Sequence, residues 1–300
     1  MPCLLLPLAL CRSVRVALCA GLVAGWALAA HAQATGAAAA VAPTQPAPET
    51  PTSESASQLN YVLGTALGWS PTYTGSTAHK MRLRPVLALQ MGRFRLSSSR
   101  ANTIMGHGLV DQGSGASATL VERERFSLSA SLRIDGGRSA SDDPLLQGLP
   151  ELRSTLRGRA SMGYALSEHW SLGAGLSQDL LGRSGGAQLN TSVRYAFALT
   201  PQTHIAMGVG AAFANGTYMR SHFGVPASAA GASQLPTFVP SAGLYSVDAG
   251  LDVMTALNRR WVVFGNASVS QLRGDARRSP LVTRTTGYGV SVGLAYRCCR

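Results

Sequence analysis

The residues best able to do chemistry in this chain are arginines set two apart. Arg82 with Arg84, Arg93 with Arg95 and Arg157 with Arg159 recur at the strand period, and Arg133 and Arg194 sit in similar surroundings. Each pair therefore projects to one side of a β-strand. Guanidinium groups gathered on one face repel one another unless acids, water or anions lie among them. Asp248 and Asp252 share one face of a later strand, and Glu122, Glu124 and Glu151 are further acids available for pairing. Two arrangements follow from these residues: an ion-pair network that fills a narrow barrel, or a basic lining that passes or binds anions.

Histidines offer acid–base chemistry, with His79, His107 and His222 on loop segments and His204 facing inward beside a turn. No Gly-x-Ser-x-Gly elbow, His-Glu-x-x-His helix or Cys-x-x-Cys pair accompanies them. Polar filling of a wet lumen is the default reading, so no catalytic residue, metal ligand or cofactor is assigned and the chain is expected not to be an enzyme.

The elements that would carry these residues alternate strictly. Leu156, Gly158, Ala160, Met162 and Tyr164 oppose Arg157, Arg159, Ser161 and Gly163, and after a short polar break Trp170, Leu172, Ala174 and Leu176 oppose Ser171, Gly173, Gly175 and Ser177. Leu189, Thr191, Val193, Tyr195, Phe197 and Leu199 repeat the pattern. Gly, Ser, Asn and Arg on the second face could not form a dry core without unpaired polar groups. Tyr164, Trp170, Tyr195 and Phe197 fall on the apolar face near a turn, where a membrane barrel carries its aromatic girdle. Further outward faces are predicted at Tyr61 to Trp69, Met81 to Leu89, Phe94 and Leu96, Phe126 to Ile134, Ile205 to Phe213, Tyr245 to Leu257, Trp261 to Val269 and Tyr288 to Tyr296. One weak strand is placed near Asn102 to Val110. The fold class is thus all-β, an antiparallel up-and-down transmembrane β-barrel of about twelve strands.

Loop lengths agree with that topology. Short connections at Gly92, Leu166 to His169, Thr200 to Gln202 and Asn258 to Arg260 alternate with long ones at Ser70, Asp135, Asp179, Ala214 and Arg273. All short turns then lie on the side of both chain ends, the periplasm.

Composition excludes other classes. Only 13% of residues are charged, and Lys80 is the single lysine. The formal charge of +12 is spread along alternating strands without a dense basic tract, which argues against nucleic acid. Arg12 and Arg15 precede an apolar run from Val16 to Ala30, and Ala30-His31-Ala32 offers a small-x-small cleavage site. The expected organisation is a cleavable signal peptide over 1–34, an Ala/Pro-rich periplasmic tail over 35–58 and the barrel over 59–300. Cys3, Cys11 and Cys19 fall in the leader, which leaves Cys298 and Cys299 and no disulfide framework.

Three loop passages remain: Trp69-Ser-Pro-Thr-Tyr73-Thr-Gly75-Ser76, Tyr218-Met-Arg-Ser-His-Phe223-Gly224-Val225, and Leu272-Arg-Gly-Asp275-Ala276 followed by Ser279-Pro280-Leu-Val282. In type, order and spacing they resemble the MipA/OmpV outer-membrane proteins, named for an MltA-interacting protein. The resemblance implies a barrel in the cell outer membrane that contacts lipid and lipopolysaccharide. It also implies a scaffold linking a murein hydrolase to a murein synthase; other members are adhesion or immune-reactive surface proteins. Tyr73, Gly75, Tyr218, Phe223, Gly224, Asp275, Ser279 and Pro280 become candidates for partner or ligand contact, or for folding of loops onto the rim. The barrel-insertion machinery reads a terminal aromatic in such chains, and here Cys298 takes that position, two residues beyond Tyr296.

Overall fold

The computed structural model describes residues 60–98 and 115–298. The proposed leader and tail, and the strand expected near 102–110, lie outside the described residues. Twelve antiparallel strands close into one barrel, each hydrogen-bonded to its neighbour in sequence and the first to the last. They are β1 (Asn60–Pro71), β2 (His79–Met91), β3 (Phe94–Ser97), β4 (Gly115–Glu122), β5 (Phe126–Asp135) and β6 (Thr155–Ala165). The second half comprises β7 (Trp170–Asp179), β8 (Ala187–Thr200), β9 (Thr203–Ala214), β10 (Gly243–Ala256), β11 (Trp261–Leu272) and β12 (Thr286–Cys298). Cys298 is disulfide-bonded, although the sequence held no disulfide framework.

The alternation has the predicted sense. Leu63, Leu67, Met162, Met207, Leu251 and Val292 are each 40% or more exposed, a band of apolar side chains that only a lipid environment would bury. Their neighbours Val62, Arg157, Ser161 and Ala206 are buried inside. Closure pairs each strand with a neighbour on both sides, although the short β3 covers only the Ala88–Met91 end of β2. Pro85, the one proline inside β2, faces outward, and its own carbonyl accepts from Ser98 Oγ at 2.9 Å.

Two expectations about the wall need correction. The fourth strand among the described residues is Gly115–Glu122, which no expected strand covered because Ala116, Ser117, Ala118 and Thr119 hardly alternate. A register shift between Thr119 and Val121 breaks its period further. Tyr245 was grouped with the outward residues of β10, but a second register shift, between Leu244 and Ser246, turns it toward Tyr218 and Phe223.

The long connections are structured rather than open. The β9–β10 connection holds α1 (Gly216–Phe223) and α2 (Ala227–Ser233), and the β11–β12 connection holds α3 (Gly274–Arg278). The β5–β6 connection contains 3-10 turns at Ala140–Asp142 and Pro144–Leu146. Asn215 caps α1, its Oδ1 accepting from Tyr218 N at 2.9 Å and from Ala187 N at 3.1 Å, which ties the helix to the start of β8. At the opposite, short-turn end, Val62, Val86, Ala88, Val262, Phe264 and Ala295 pack inside the barrel across β11, β12, β1 and β2. Gly293 makes this packing possible, since a Cβ there would stand 2.2 Å from Phe264 Cζ.

Candidate functional sites in the cap and the lumen

The three loop passages singled out in the sequence converge at the outer mouth. Tyr73 Oη donates to Leu281 O at 2.9 Å, and Gly75 O accepts from Thr283 N and Arg284 N, each at 3.0 Å. Ser279 Oγ donates to Phe223 O at 2.6 Å, and Asp275 Oδ2 accepts from Ser241 N at 2.7 Å. Ser76 Oγ donates to Asp143 Oδ2 at 3.0 Å, Arg138 Nη1 to His222 O at 3.0 Å, and Ser221 Oγ to Ser184 O at 2.7 Å. Five connections are thereby joined into one cap.

Two apolar clusters underlie these bonds. Tyr218, Met219 and Phe223 of α1 pack with Ala214, Leu272 and Ala276, while Leu146, Leu149, Val225, Ala229 and Leu281 form the second, against which Tyr73 and Phe238 rest. Gly224 ends α1, its N–H donating to Arg220 O, and Val225 pairs with Phe238 as an isolated bridge. Pro280 follows Ser279 in the turn between the clusters and is half-buried. Every candidate of the loop set thus belongs to the cap.

Electrostatics in the cap favour neutral, buried rings. Desolvation pulls His222 down to about 4, and its ring stacks on Tyr218 with centroids 3.9 Å apart. Desolvation pushes the Tyr218 phenol well up, and desolvation together with the nearby Asp143 carboxylate pushes Tyr73 to about 12. Asp275 is held low by the Ser241 N–H and by Arg278, with which it forms an ion pair.

The arginines do not form one cluster. Arg157 is 3% exposed beneath the cap, its Nε 3.3 Å from Asp135 Oδ2 and its Nη2 donating to Gly185 O at 2.8 Å. Its Cζ lies 5.8 Å from the Tyr218 ring centre, so it supports α1 from below. Asp135 was not among the acids picked out by sequence. Glu151 instead accepts from Ser139 Oγ, while Glu122, exposed at the short-turn end beside Glu124, acts electrostatically on Arg95. Arg95 is buried inside β3 and donates to Gln90 Oε1 at 3.1 Å. Arg159 lies over Gly175 of β7, Arg82 and Arg84 lie on the inward row of β2, and Arg133 stands opposite Arg157 at the outer end of β5. Arg93 sits in the turn between β2 and β3, exposed at the rim rather than inside the lumen as expected, because the turn takes up its position.

Arg194 and Asp252 meet in the lower lumen, Nη2 to Oδ2 at 4.0 Å. They line a cavity of about 330 Å³ at the short-turn end, with Ala196, Ala198, His204, Ala206, Met254 and Phe264, and with Glu168 and His169 at its edge. Asp248, higher on β10, lies over Gly210 of the neighbouring strand β9. Sequence reasoning named Arg194, His204 and Asp252 separately. Only the register, which sets β8, β9 and β10 side by side, shows that they share a space. Among the described residues no group of three or more His, Cys, Asp or Glu side chains is arranged to hold a metal ion.

Several solved structures share a similar outline at low identity. The NanC porin matches at 7% identity and a TM-score of 0.43, over 79% of this chain and 100% of that one. An outer-membrane channel from Pseudomonas putida F1 matches at 12% identity and 0.42, over 80% and 95%. The KdgM porin matches at 9% identity and 0.36, over 78% and 98%. No curated protein matches the chain. The sequence profile of one family, described as MltA-interacting protein MipA, matches residues 63–298, which is nearly the whole barrel with all three cap passages inside it. The chain, a closed β-barrel with interlocked outer loops, therefore belongs to the MltA-interacting protein MipA family.

Proposed function

We propose that this barrel is a non-catalytic anchor in the outer membrane that holds a murein hydrolase and a murein synthase at its periplasmic face. The observation that carries the reading is the cap: five connections, two apolar clusters and cross-loop bonds occupy the outer mouth, where a general pore keeps open space. The working surface is then the periplasmic side. Exposed turns there present Arg93, Arg123, Arg125, Arg259 and Arg260, a basic rim suited to acidic patches on a partner. The family name points to the hydrolase as one partner. Delivery through a cleavable leader over 1–34, and reach through the 35–58 tail, fit the same role, and lipid with lipopolysaccharide surrounds the wall.

The test is affinity purification of the tagged barrel from outer membranes, with the organism's own lytic murein hydrolase and murein synthase followed by immunoblot. Recovery of both, weakened by Arg259→Glu with Arg260→Glu, is the expected result. Recovery of neither from membranes where the barrel is folded would end the scaffold reading. Planar-bilayer recordings of the same preparation separate the rival: steady anion-selective conductance would favour a pore.

A further inference from the structure

The lower lumen is filled on one side only. Val62, Val86, Val262 and Phe264 occupy the half beneath β11, β12, β1 and β2, whereas around Arg194 and His204 the inward positions of β8 and β9 carry only Ala196, Ala198, Ala206 and Gly208. Ala196 pairs with Ala206, Arg194 with Gly208 and Ala198 with His204 across these two strands. Arg194 from β8 and Asp252 from β10 therefore reach toward each other over β9, because Gly208 and Ala206 leave the room to do so. The cavity beneath them opens past Glu168 and His169, both exposed in the β6–β7 turn.

The charged pair is poised but loose. At 4.0 Å it lies beyond the ~2.7–2.9 Å of a charge-assisted hydrogen bond, and the two side chains remain 37% and 35% exposed. Asn266 Nδ2 donates to Asp252 Oδ1 at 2.8 Å, which fixes the carboxylate and leaves Oδ2 turned toward the guanidinium. A bare anion drawn to Arg194 meets Asp252, and a bare cation drawn to Asp252 meets Arg194. A ligand with both charges on adjoining atoms satisfies both at once. Beside the pair, Ala196, Ala206, Met254 and Phe264 offer an apolar wall, and about 330 Å³ falls at the small end of ligand sites.

We propose that this cavity is a periplasm-facing binding site for a small α-amino acid with an apolar side group. Its carboxylate takes the Arg194 fork, its ammonium takes Asp252 Oδ2, and its side group lies against Met254 and Phe264. The site needs no partner protein, so it stands or falls apart from the scaffold role.

The experiment uses the full-length barrel refolded in detergent micelles, with folding verified by heat-modifiable mobility. Calorimetric and ligand-observed NMR titrations compare L-leucine with isocaproate, which lacks the ammonium, and isoamylamine, which lacks the carboxylate. Leucine is expected to bind, and each singly charged analogue to bind about tenfold more weakly or less. Arg194→Gln and Asp252→Asn should each weaken leucine by about tenfold, and Ala206→Phe should block it while leaving both charges in place. The proposal is overturned if leucine shows no binding at millimolar concentration, if isocaproate binds as well as leucine, or if folded Ala206→Phe binds leucine unchanged. Should a variant fail to refold, the three-ligand comparison on the parent chain decides alone.

Discussion

Arginine at position 292 tests which face of the wall meets lipid. Val292 lies on the outward face of β12 between Tyr288 and Tyr296, opposite Leu67 on β1, and is 54% exposed. At roughly 3.4 Å per residue, and with strands tilted by about 45°, the two tyrosines are about 20 Å apart along the membrane normal, so Val292 sits about 10 Å from each. That is near the midplane, where an outward arginine costs about 2 to 4 kcal/mol. In folding equilibrium this is about 30-fold to 1000-fold. The control puts the same side chain on the inner face: Ser192→Arg, exposed to the lumen and paired with Gly173 and Gly210, should cost under about 1 kcal/mol because its charge stays in water. Val193→Arg, beside it but facing lipid, should lie with Val292→Arg. Urea titration of the barrel in lipid vesicles, read by heat-modifiable mobility and tryptophan fluorescence, gives the three free energies. Equal losses in all three, or the largest loss for Ser192→Arg, would mean that the faces are reversed or the wall does not sit in lipid.

Other consequences concern the cap. Ser279→Ala leaves the buried Phe223 carbonyl without its donor and should loosen the cap by about 1 to 3 kcal/mol, seen as faster protease cleavage between β9 and β10 in intact cells, with the barrel band unchanged. Gly75→Ala should act in the same direction, since φ is +106° and a Cβ would stand 2.8 Å from Val282 Cγ2; a protease-resistant Ala variant would contradict this. Arg157→Met strands Asp135 beneath α1 and should cost about 3 to 5 kcal/mol in chemical denaturation, more than Arg133→Met at the exposed position across from it. The pH dependence follows from His222: with its pKa about 4 when the cap is closed and about 6.5 when it is open, the open form binds more protons between those values. Closure is then fully favoured above about pH 6.5 and weakens as pH falls toward 4. Protease sensitivity should rise over that window, and His222→Gln should flatten the profile.

The wall was legible because a period of two with an apolar face needs nothing beyond neighbouring residues. Leu156 to Tyr164 and Tyr288 to Tyr296 state it plainly. It failed where local signals were weak: β4 begins with Gly, Ala, Ser and Thr, and Tyr245 reversed its direction at a bulge that no residue type announces. The cap was legible only as motifs. Tyr73 and Leu281 are separated by 208 positions, and nothing near either one signals their bond. The short helix α1 was hidden for a similar reason, since eight residues are stable as a helix only through Asn215 and the burial of Tyr218, Met219 and Phe223. The lumen cavity was partly visible: Arg194, His204 and Asp252 were seen to face inward, but their meeting depends on registers between three strands.

The bonds between Tyr73 and Leu281, and from Gly75 to Thr283 and Arg284, join the hairpin loop after the first strand to the one before the last. They straddle the outer end of the seam where β1 meets β12, and Val62 with Ala295 packs across its inner end. The place where the cylinder is zipped shut is thus clasped above and below. Sideways parting of these two strands would require both clasps to give way together.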